Sequence, residues 1–286
     1  MQKILCIESK KSNILKNIFK KIELLENTII INQDIEKIKL RKKIKIIKKI
    51  NRILEMNKCK TVLLSKDIKK DEELVNLLYS NNINIIDGKT IFKMKMIEVL
   101  EYILKRKNIS CNDAKIAIIS NTVNSFLKNN TMILAKKVKE LTIATNKRKE
   151  FKKIDEVLCD EGIIITITNN RKKGIIKSDI ILNIDIPKEI INLYNIKDDA
   201  IIVNFEENVK IRKKRFAGVI IDGYKSKLDV KDVVKNEEIM RYSLLKSENE
   251  EKYDFNEILE YYYLLGKIDT EDIKICKLIT SKKNEF

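Results

Sequence analysis

The sequence contains no histidine, and among its 286 residues it has only one proline and six glycines. Histidine is the commonest metal ligand in proteins and the usual general base at neutral pH. Its absence removes both roles, together with every Ser-His or Cys-His nucleophile. Any catalytic chemistry must therefore rest on Lys, Asp, Glu, Tyr or Cys side chains, or on a cofactor. We predict no metal site.

Long apolar segments and paired cysteines are absent as well. No run of about 18 uncharged apolar residues occurs, as a transmembrane helix would need. Glu8 comes too early for the apolar core of a secretory signal peptide. The five cysteines are scattered without a C-x-x-C pair, so the sequence indicates neither a disulfide framework nor a zinc knuckle. These features predict a cytoplasmic protein.

The chain carries a strong excess of positive charge, with a formal net charge of +17, and much of it lies near the start. Residues 37–58 combine a basic run with apolar residues at helical spacing, which predicts a basic amphipathic helix. Such a helix suits nucleic acid or an anionic surface, because clustered cations gain from counterion release. We favour a helix packed on a sheet with a solvated lysine face, since no aromatic residue or nucleic-acid motif accompanies the run. The apolar positions are Leu40, Ile44, Ile47, Ile50 and Leu54.

Short apolar runs alternate with amphipathic segments through both halves of the chain. This alternation is typical of parallel sheets with crossover helices. In the first half the expected strands are 4–7, 28–31, 61–64 and 83–86, with helices at 14–25, 35–56 and 72–80 and a long helix that follows an Asp87-Gly88 turn and reaches Lys107. In the second half the expected strands are 116–119, 141–145, 163–168, 180–182, 200–205 and 219–221, with helices at 126–138, after Pro187, and at 239–245, 255–265 and 273–279.

We therefore predict an α/β protein with two α/β domains, of which the second is Rossmann-like around a parallel sheet, followed by C-terminal helices. The length and the 44% content of hydrophobic residues allow two modest domains. The expected divisions are 1–107 for an N-terminal domain with its linking helix, 108–223 for the Rossmann-like domain and 224–286 for the C-terminal helices.

Two stretches of the second half carry a family resemblance. Residues 144–149 read ATNKRK after a predicted strand, and residues 178–187 read SDIILNIDIP. Together they resemble the cofactor domain of shikimate dehydrogenases, a pattern shared by glutamyl-tRNA reductases and methylenetetrahydrofolate dehydrogenases. The resemblance covers residues 111–205. It implies NADP as the cofactor, because in this family an Asn-Arg turn follows the second strand and a later strand ending in Asn faces the nicotinamide.

The turn that should hold the phosphates of the cofactor departs from the family. Residues 120–125 read SNTVNS, where dinucleotide-binding proteins carry G-x-G-x-x-G because glycine lets the backbone approach the pyrophosphate. Thr122 and Val123 are β-branched and fill the space that the phosphates need. The catalytic lysine and aspartate of the family have no clear match, and Lys66-Asp67 after the strand 61–64 is the nearest candidate pair.

The resemblance also implies a set of cofactor-binding residues. Lys147 and Arg148 would hold a 2′-phosphate, since no acid directly follows the second strand to pair with a ribose hydroxyl. If either dinucleotide binds, we expect NADP to bind better than NAD. A solvated basic turn is the alternative interpretation of these two residues. The full set is Ser120, Asn121, Asn124 and Ser125 in the phosphate turn, Asn146, Lys147 and Arg148 in the basic turn, and Asn183 at the later strand end.

Two classes of function remain open. The first is a non-catalytic or regulatory relative of two-domain NAD(P)-dependent dehydrogenases that binds a small molecule or a nucleotide. The second is an NADP-dependent oxidoreductase in which serine and asparagine side chains replace the glycine amides of the phosphate turn. The missing glycines and the missing histidines favour the first class.

Overall fold

The computed structural model describes residues 3–10, 22–205, 211–212, 215–228, 252–282 and 284–286. The chain divides by its contacts into two compact units. Unit 1 comprises Met1–Ile91 and Leu228–Ile273, and unit 2 comprises Phe92–Lys227 and Lys274–Phe286. Each unit contains its own mainly parallel sheet, so the predicted α/β class is confirmed. The divisions expected at 107 and 223 stay predictions. Among the described residues, none of the helices has both the length and the apolar character that crossing a membrane requires.

The sheet of unit 1 has five strands in the order β2-β3-β1-β4-β5. Strands β1, β3, β4 and β5 run parallel, and β2 pairs antiparallel with β3. The strands are β1 (Ile4–Ser9), β2 (Ile22–Leu25), β3 (Thr28–Ile31), β4 (Thr61–Leu64) and β5 (Asn84–Ile85), and the helices that follow them are α1 (Leu40–Met56), α2 (Lys66–Lys69), α3 (Glu72–Ser80) and α4 (Lys89–Met94).

The sheet of unit 2 has seven strands in the order β12-β11-β10-β9-β6-β7-β8, and β6 to β11 all run parallel. Counted from β6, the first six strands take the order 3-2-1-4-5-6 that defines the dinucleotide-binding fold. A Rossmann-like unit is therefore present. Its strands are β6 (Lys115–Ile119), β7 (Glu140–Ala144), β8 (Thr166–Thr168), β9 (Ile180–Asn183), β10 (Ile201–Asn204), β11 (Val219–Leu228) and β12 (Ile273–Thr280), and its helices are α5 (Met96–Lys107), α6 (Ser125–Lys137), α7 (Arg148–Asp160) and α8 (Lys188–Ile191).

One further helix, α9 (Phe255–Leu264), belongs to unit 1. Successive side chains of a strand point to opposite faces of a sheet. In unit 1 both faces of the sheet are covered, as is usual for parallel strands. Leu5 and Ile7 pack with α1 and α3 on one face. Ile4 and Leu63 pack on the other face with Ile258 of α9.

Several predicted elements differ in the structure. Residues 22–25, expected at the end of a helix, form β2, because Glu26 at a φ of 50° closes a hairpin onto β3. Residues 14–21 of that prediction lie outside the described residues. The helix expected from residue 35 begins at Leu40, after a separate short turn at 35–37. The long helix reaching Lys107 is divided into α4 and α5 at Lys95.

The end of the chain also corrects the sequence prediction. The helix expected at 255–265 is confirmed as α9. The helix expected at 273–279 is wrong, because these residues form β12 at the edge of the second sheet, hydrogen-bonded to β11. Ile273 and Ile275 are buried with a less buried Lys274 between them, which is the alternation of a strand. The helix expected at 239–245 lies outside the described residues.

The basic amphipathic helix is confirmed over Leu40–Met56, but its buried face is shifted from the prediction. Leu40 and Ile44 are exposed, whereas Ile46 and the charged Lys43 are buried. Lys43 Nζ lies 2.7 Å from carboxylate oxygens of both Asp71 and Glu73. Contact of residues 37–58 with nucleic acid or an anionic surface stays a prediction.

Candidate functional site

The predicted site lies at the carboxyl ends of the parallel strands of unit 2. Backbone hydrogen bonds join these strand ends in a row. Ser120 N donates to Ala144 O at 3.2 Å, and Thr145 N donates to Thr168 O at 2.8 Å. On the other side of β6, Ile184 N donates to Ile119 O at 3.0 Å. The carboxyl ends of β6, β7, β8 and β9 therefore lie at the same end of the parallel sheet. The strand order reverses between β6 and β9, the position where such sheets bind ligands.

A carboxylate of the protein itself occupies the phosphate turn. Asp185, on the loop after β9, accepts hydrogen bonds from Asn121 N at 2.8 Å and from Thr122 N at 2.5 Å. Backbone amides of this turn are the groups that hold the pyrophosphate in dinucleotide-binding proteins. The Asp185 carboxylate stands where an anionic ligand of such a turn would accept its hydrogen bonds.

The side chains of the turn are engaged internally as well. Ser120 Oγ donates to Thr122 O at 2.9 Å and accepts from Thr122 N at 3.1 Å. Asn124 caps α6, because its Oδ1 accepts from Leu127 N at 2.8 Å. Asn121 Oδ1 accepts from Asn146 N at 3.0 Å and so ties the phosphate turn to the basic turn. These contacts close the turn without any ligand.

The basic turn is more open than the phosphate turn. Asn146, Lys147 and Arg148 are all exposed, as is Ser125 at the first position of α6. The Lys147 backbone N–H donates to Thr145 Oγ1, and its Nζ lies 3.6 Å from a carboxylate oxygen of Glu150. The ammonium group of Lys147 therefore already has a nearby carboxylate.

Asn183, predicted to face a nicotinamide, is fully buried. Its Nδ2 donates to Ile186 O at 2.9 Å and to Asn204 Oδ1 at 2.7 Å, and its Oδ1 accepts from Ile186 N at 3.0 Å. These bonds fix both ends of the short segment that carries Asp185. Asn183 thus positions the loop whose carboxylate enters the phosphate turn.

The structure thus links Asn121 to Asn146 by a hydrogen bond, while Ser120 bonds within the turn, Asn124 caps α6 and Asn183 fixes the segment that carries Asp185. It leaves Ser125, Lys147 and Arg148 exposed at the margin. Asp185, which joins the loops after β6 and β9, was not among the predicted site residues. The sequence feature that could have identified Asp185 is an acid that follows the fourth strand of the Rossmann-like unit, in a protein whose turn after the first strand has no glycine.

Unit 1 holds the Lys66-Asp67 pair at the start of α2. Both residues line a cavity of 160 Å³ at the carboxyl ends of β1 and β4, together with Glu8 and Lys252. Glu8 accepts a hydrogen bond from Tyr253 Oη at 2.7 Å, and its other oxygen lies 3.2 Å from Lys252 Nζ. The cavity therefore has a charged lining whose acid Glu8 is already paired.

Two buried acids on α9, Glu257 and Glu260, have raised carboxyl pKa values. Burial raises the pKa of Glu257 to about 7, although its ion pair with Lys69 acts in the opposite direction. Burial likewise raises the pKa of Glu260, which accepts hydrogen bonds from Thr90 Oγ1 and from backbone amides at the start of α4. Among the described residues, no group of three or more His, Cys, Asp or Glu side chains is arranged to hold a metal ion.

No protein-family model and no curated protein sequence matches the chain. Among solved structures, it is similar to L-tryptophan dehydrogenase from Nostoc punctiforme, with 9% identity, 70% of this chain covered and a TM-score of 0.32. The match spans 62% of the length of that dehydrogenase. It is also similar to ornithine carbamoyltransferase from Pyrococcus furiosus, with 11% identity, 72% of this chain and 73% of that chain covered, and a TM-score of 0.30. A third similar structure is aspartate transcarbamoylase from Trypanosoma cruzi, with 12% identity, 73% of this chain and 72% of that chain covered, and a TM-score of 0.27. TM-scores this low do not establish a common fold.

Proposed function

We propose that this protein is a non-catalytic or regulatory, ligand-binding relative of two-domain NAD(P)-dependent dehydrogenases. In this proposal unit 2 keeps the Rossmann-like strand order as a scaffold but does not hold a dinucleotide in the family manner. The observation that carries the proposal is the Asp185 carboxylate bonded to Asn121 N and Thr122 N.

Electrostatics supports this assignment. A pyrophosphate at the turn would have to displace the Asp185 carboxylate from two amides or lie beside it with the same sign of charge. Hydrogen bonds to a charged group contribute about 1.5–3 kcal/mol each, so displacement costs a large part of the binding energy that the turn could offer. The side chains of Thr122 and Val123 add a steric obstacle that glycine would not present.

The test is calorimetric titration of the native protein with NADP and with NAD. We expect no saturable binding at micromolar concentration. A dissociation constant for NADP in the low micromolar range, about −8 kcal/mol, would overturn the proposal. Asp185→Asn keeps the size of the side chain and removes its charge, but Thr122 and Val123 still obstruct the turn, so we expect this variant alone to bind neither dinucleotide. The matched control is Asp179→Asn, which removes another acid of unit 2 that pairs with Lys197 at 2.8 Å.

A second candidate is an NADP-dependent oxidoreductase with an atypical phosphate turn. The observation that favours it is the basic turn, in which Lys147 and Arg148 are exposed and no acid follows β7 before Glu150. This arrangement is suited to a 2′-phosphate rather than to a free ribose hydroxyl. Saturable binding with NADP preferred over NAD would favour this candidate.

A further inference from the structure

Unit 1 has a switch point of its own. Its first strand, β1, lies in the middle of the sheet, with β3 on one side and β4 on the other. After β1 the chain therefore forms β3 on one side of this strand and then crosses to form β4 on its other side. In open parallel sheets ligands bind outside the carboxyl ends of the strands at such a reversal. The 160 Å³ cavity lies at this position, between the ends of β1 and β4.

Ser65 is the first feature of the cavity that indicates a ligand. Its backbone N–H donates to Ile7 O at 3.0 Å, which fixes the residue beside the end of β1. Ser65 is only 6% exposed, and its hydroxyl has no hydrogen-bond partner within the described part of the chain. Buried polar groups are nearly always hydrogen-bonded, so a buried hydroxyl without a partner that lines a cavity indicates a missing acceptor or donor.

The charges of the lining indicate the sign of that ligand. Lys10, Lys66 and Lys252 face two acids there, Glu8 and Asp67. Both acids are paired, because Glu8 contacts Tyr253 Oη and Lys252 Nζ, while Asp67 lies 2.9 Å from Lys70 Nζ. The Lys10 side chain makes neither an ion pair nor a hydrogen bond with any described residue. Lys66 Nζ lies 4.0 Å from a carboxylate oxygen of Asp254, so Lys10 is the lysine of the lining that has no paired acid among the described residues.

The size of the cavity limits the ligand further. Sites that enclose drug-sized molecules usually measure about 300–1,000 Å³, and this cavity measures 160 Å³ and is open to solvent, so its volume limits the group that enters it rather than the rest of the ligand. A single tetrahedral oxyanion fits this space, accepts hydrogen bonds from a hydroxyl and from ammonium groups, and carries the required charge.

We propose that this cavity binds the phosphate group of a small phosphate monoester, with Ser65 Oγ and Lys10 Nζ as donors and Lys66 beside them. The inference goes beyond the proposed function, since it concerns unit 1 and holds whether or not unit 2 binds a dinucleotide. It assigns a binding role to the strand end that carries the Lys66-Asp67 pair, without any reaction.

The experiment is calorimetric titration of the full chain with inorganic phosphate, in parallel with NADP. We expect saturable phosphate binding at millimolar concentration. Lys10→Gln removes a charge-assisted hydrogen bond and should weaken binding about tenfold, and Ser65→Ala removes a neutral one and should weaken it about fivefold. Ser65→Ala should leave the melting temperature unchanged or higher, because the lost hydroxyl has no partner within the described chain.

Lys60→Gln is the matched control. Lys60 is an exposed lysine just before β4, at the amino end of this strand, whereas the cavity lies at its carboxyl end. Its replacement changes the net charge by the same amount. Phosphate binding should be unchanged in this variant. The inference is overturned if phosphate does not saturate, if Ser65→Ala and Lys10→Gln bind as well as the native chain, or if Lys60→Gln weakens binding equally. NADP binding in the parallel titration would contradict the proposed function and leave the phosphate result standing.

Discussion

Asp185 Oδ1 accepts a hydrogen bond from Asn121 N at 2.8 Å, although the two residues are 64 positions apart in the sequence. This contact joins the loops that follow β6 and β9, the two strands that flank the reversal of strand order in unit 2. Through this contact, backbone amides of the turn after β6 are hydrogen-bonded within the protein.

The first prediction concerns the structural value of Asp185. Asp185→Asn should lower the free energy of unfolding by about 2 kcal/mol, because the amide can accept from one turn N–H but places an NH₂ group against the other. Urea unfolding followed by circular dichroism measures this loss. Asp179→Asn, which removes a partly exposed ion pair with Lys197, should cost less than about 1 kcal/mol. Equal losses in the two variants would show that the Asp185 bonds contribute nothing special.

A second prediction separates the carboxylate from the missing glycines. Replacing Ser120, Thr122 and Ser125 by glycine gives the G-x-G-x-x-G spacing, at a cost of about 0.5–1 kcal/mol of backbone entropy for each residue. We expect NADP binding to appear only when this triple replacement is combined with Asp185→Asn, since the backbone and the charge both oppose the phosphates. Calorimetry on the native chain, the triple variant, Asp185→Asn and the combination measures this. Binding by the triple variant alone would mean that the carboxylate is no obstacle.

The basic turn gives a third prediction, on the quadruple variant just described. If that variant binds NADP, changing Lys147 and Arg148 to alanine should abolish its preference for NADP over NAD while leaving NAD binding within about twofold. Lys152→Ala with Lys153→Ala, two exposed lysines farther along α7, is the control with the same change of charge. If the preference survives in the Lys147 and Arg148 variant, the turn is solvated surface.

The strands and the general architecture could be predicted from the sequence, because isoleucine-rich runs of four or five residues between amphipathic segments are typical of buried strands. Prediction from the sequence was less accurate where contacts between distant parts of the chain determine the structure. Residues 273–279 have an apolar pattern compatible with a helix, and only the free edge of β11 makes them a strand. The polar residues of the turns after β6 and β7 could be selected from the sequence, but their hydrogen-bond partners could not, because Asn121 contacts a loop 64 residues away.

Lys43 shows the same limit and gives a fourth prediction. In the sequence it is one of seven basic residues of α1, whereas in the structure it is 6% exposed and bonded to Asp71 and Glu73. Burial alone would lower the pKa of Lys43, but its bonds to these two carboxylates outweigh burial and raise that pKa. Lys43→Ala should cost about 3 kcal/mol, since it leaves the buried Asp71 unpaired. Lys42→Ala, at the neighbouring exposed position, should change stability by less than about 0.5 kcal/mol in the same urea unfolding experiment. Similar values for the two variants would contradict the special role of Lys43.

The last prediction concerns the pH dependence of unit 1. Burial raises the pKa of Glu257 in the folded protein to about 7 from an ordinary value of 4.5, so the folded state binds this proton more tightly than the unfolded state. The resulting stabilisation is complete below about pH 4.5 and is lost as the pH rises towards 7, by up to about 3 kcal/mol. Glu257→Gln keeps a neutral side chain at every pH and should remove this loss, so its stability relative to the native chain should increase between pH 5 and pH 8. Urea unfolding at the two pH values measures the change, with Glu271→Gln, an exposed acid of the same unit, as the control. A native chain and a Glu257→Gln variant with the same pH dependence would mean that Glu257 is ionised across the whole range, held in that form by Lys69.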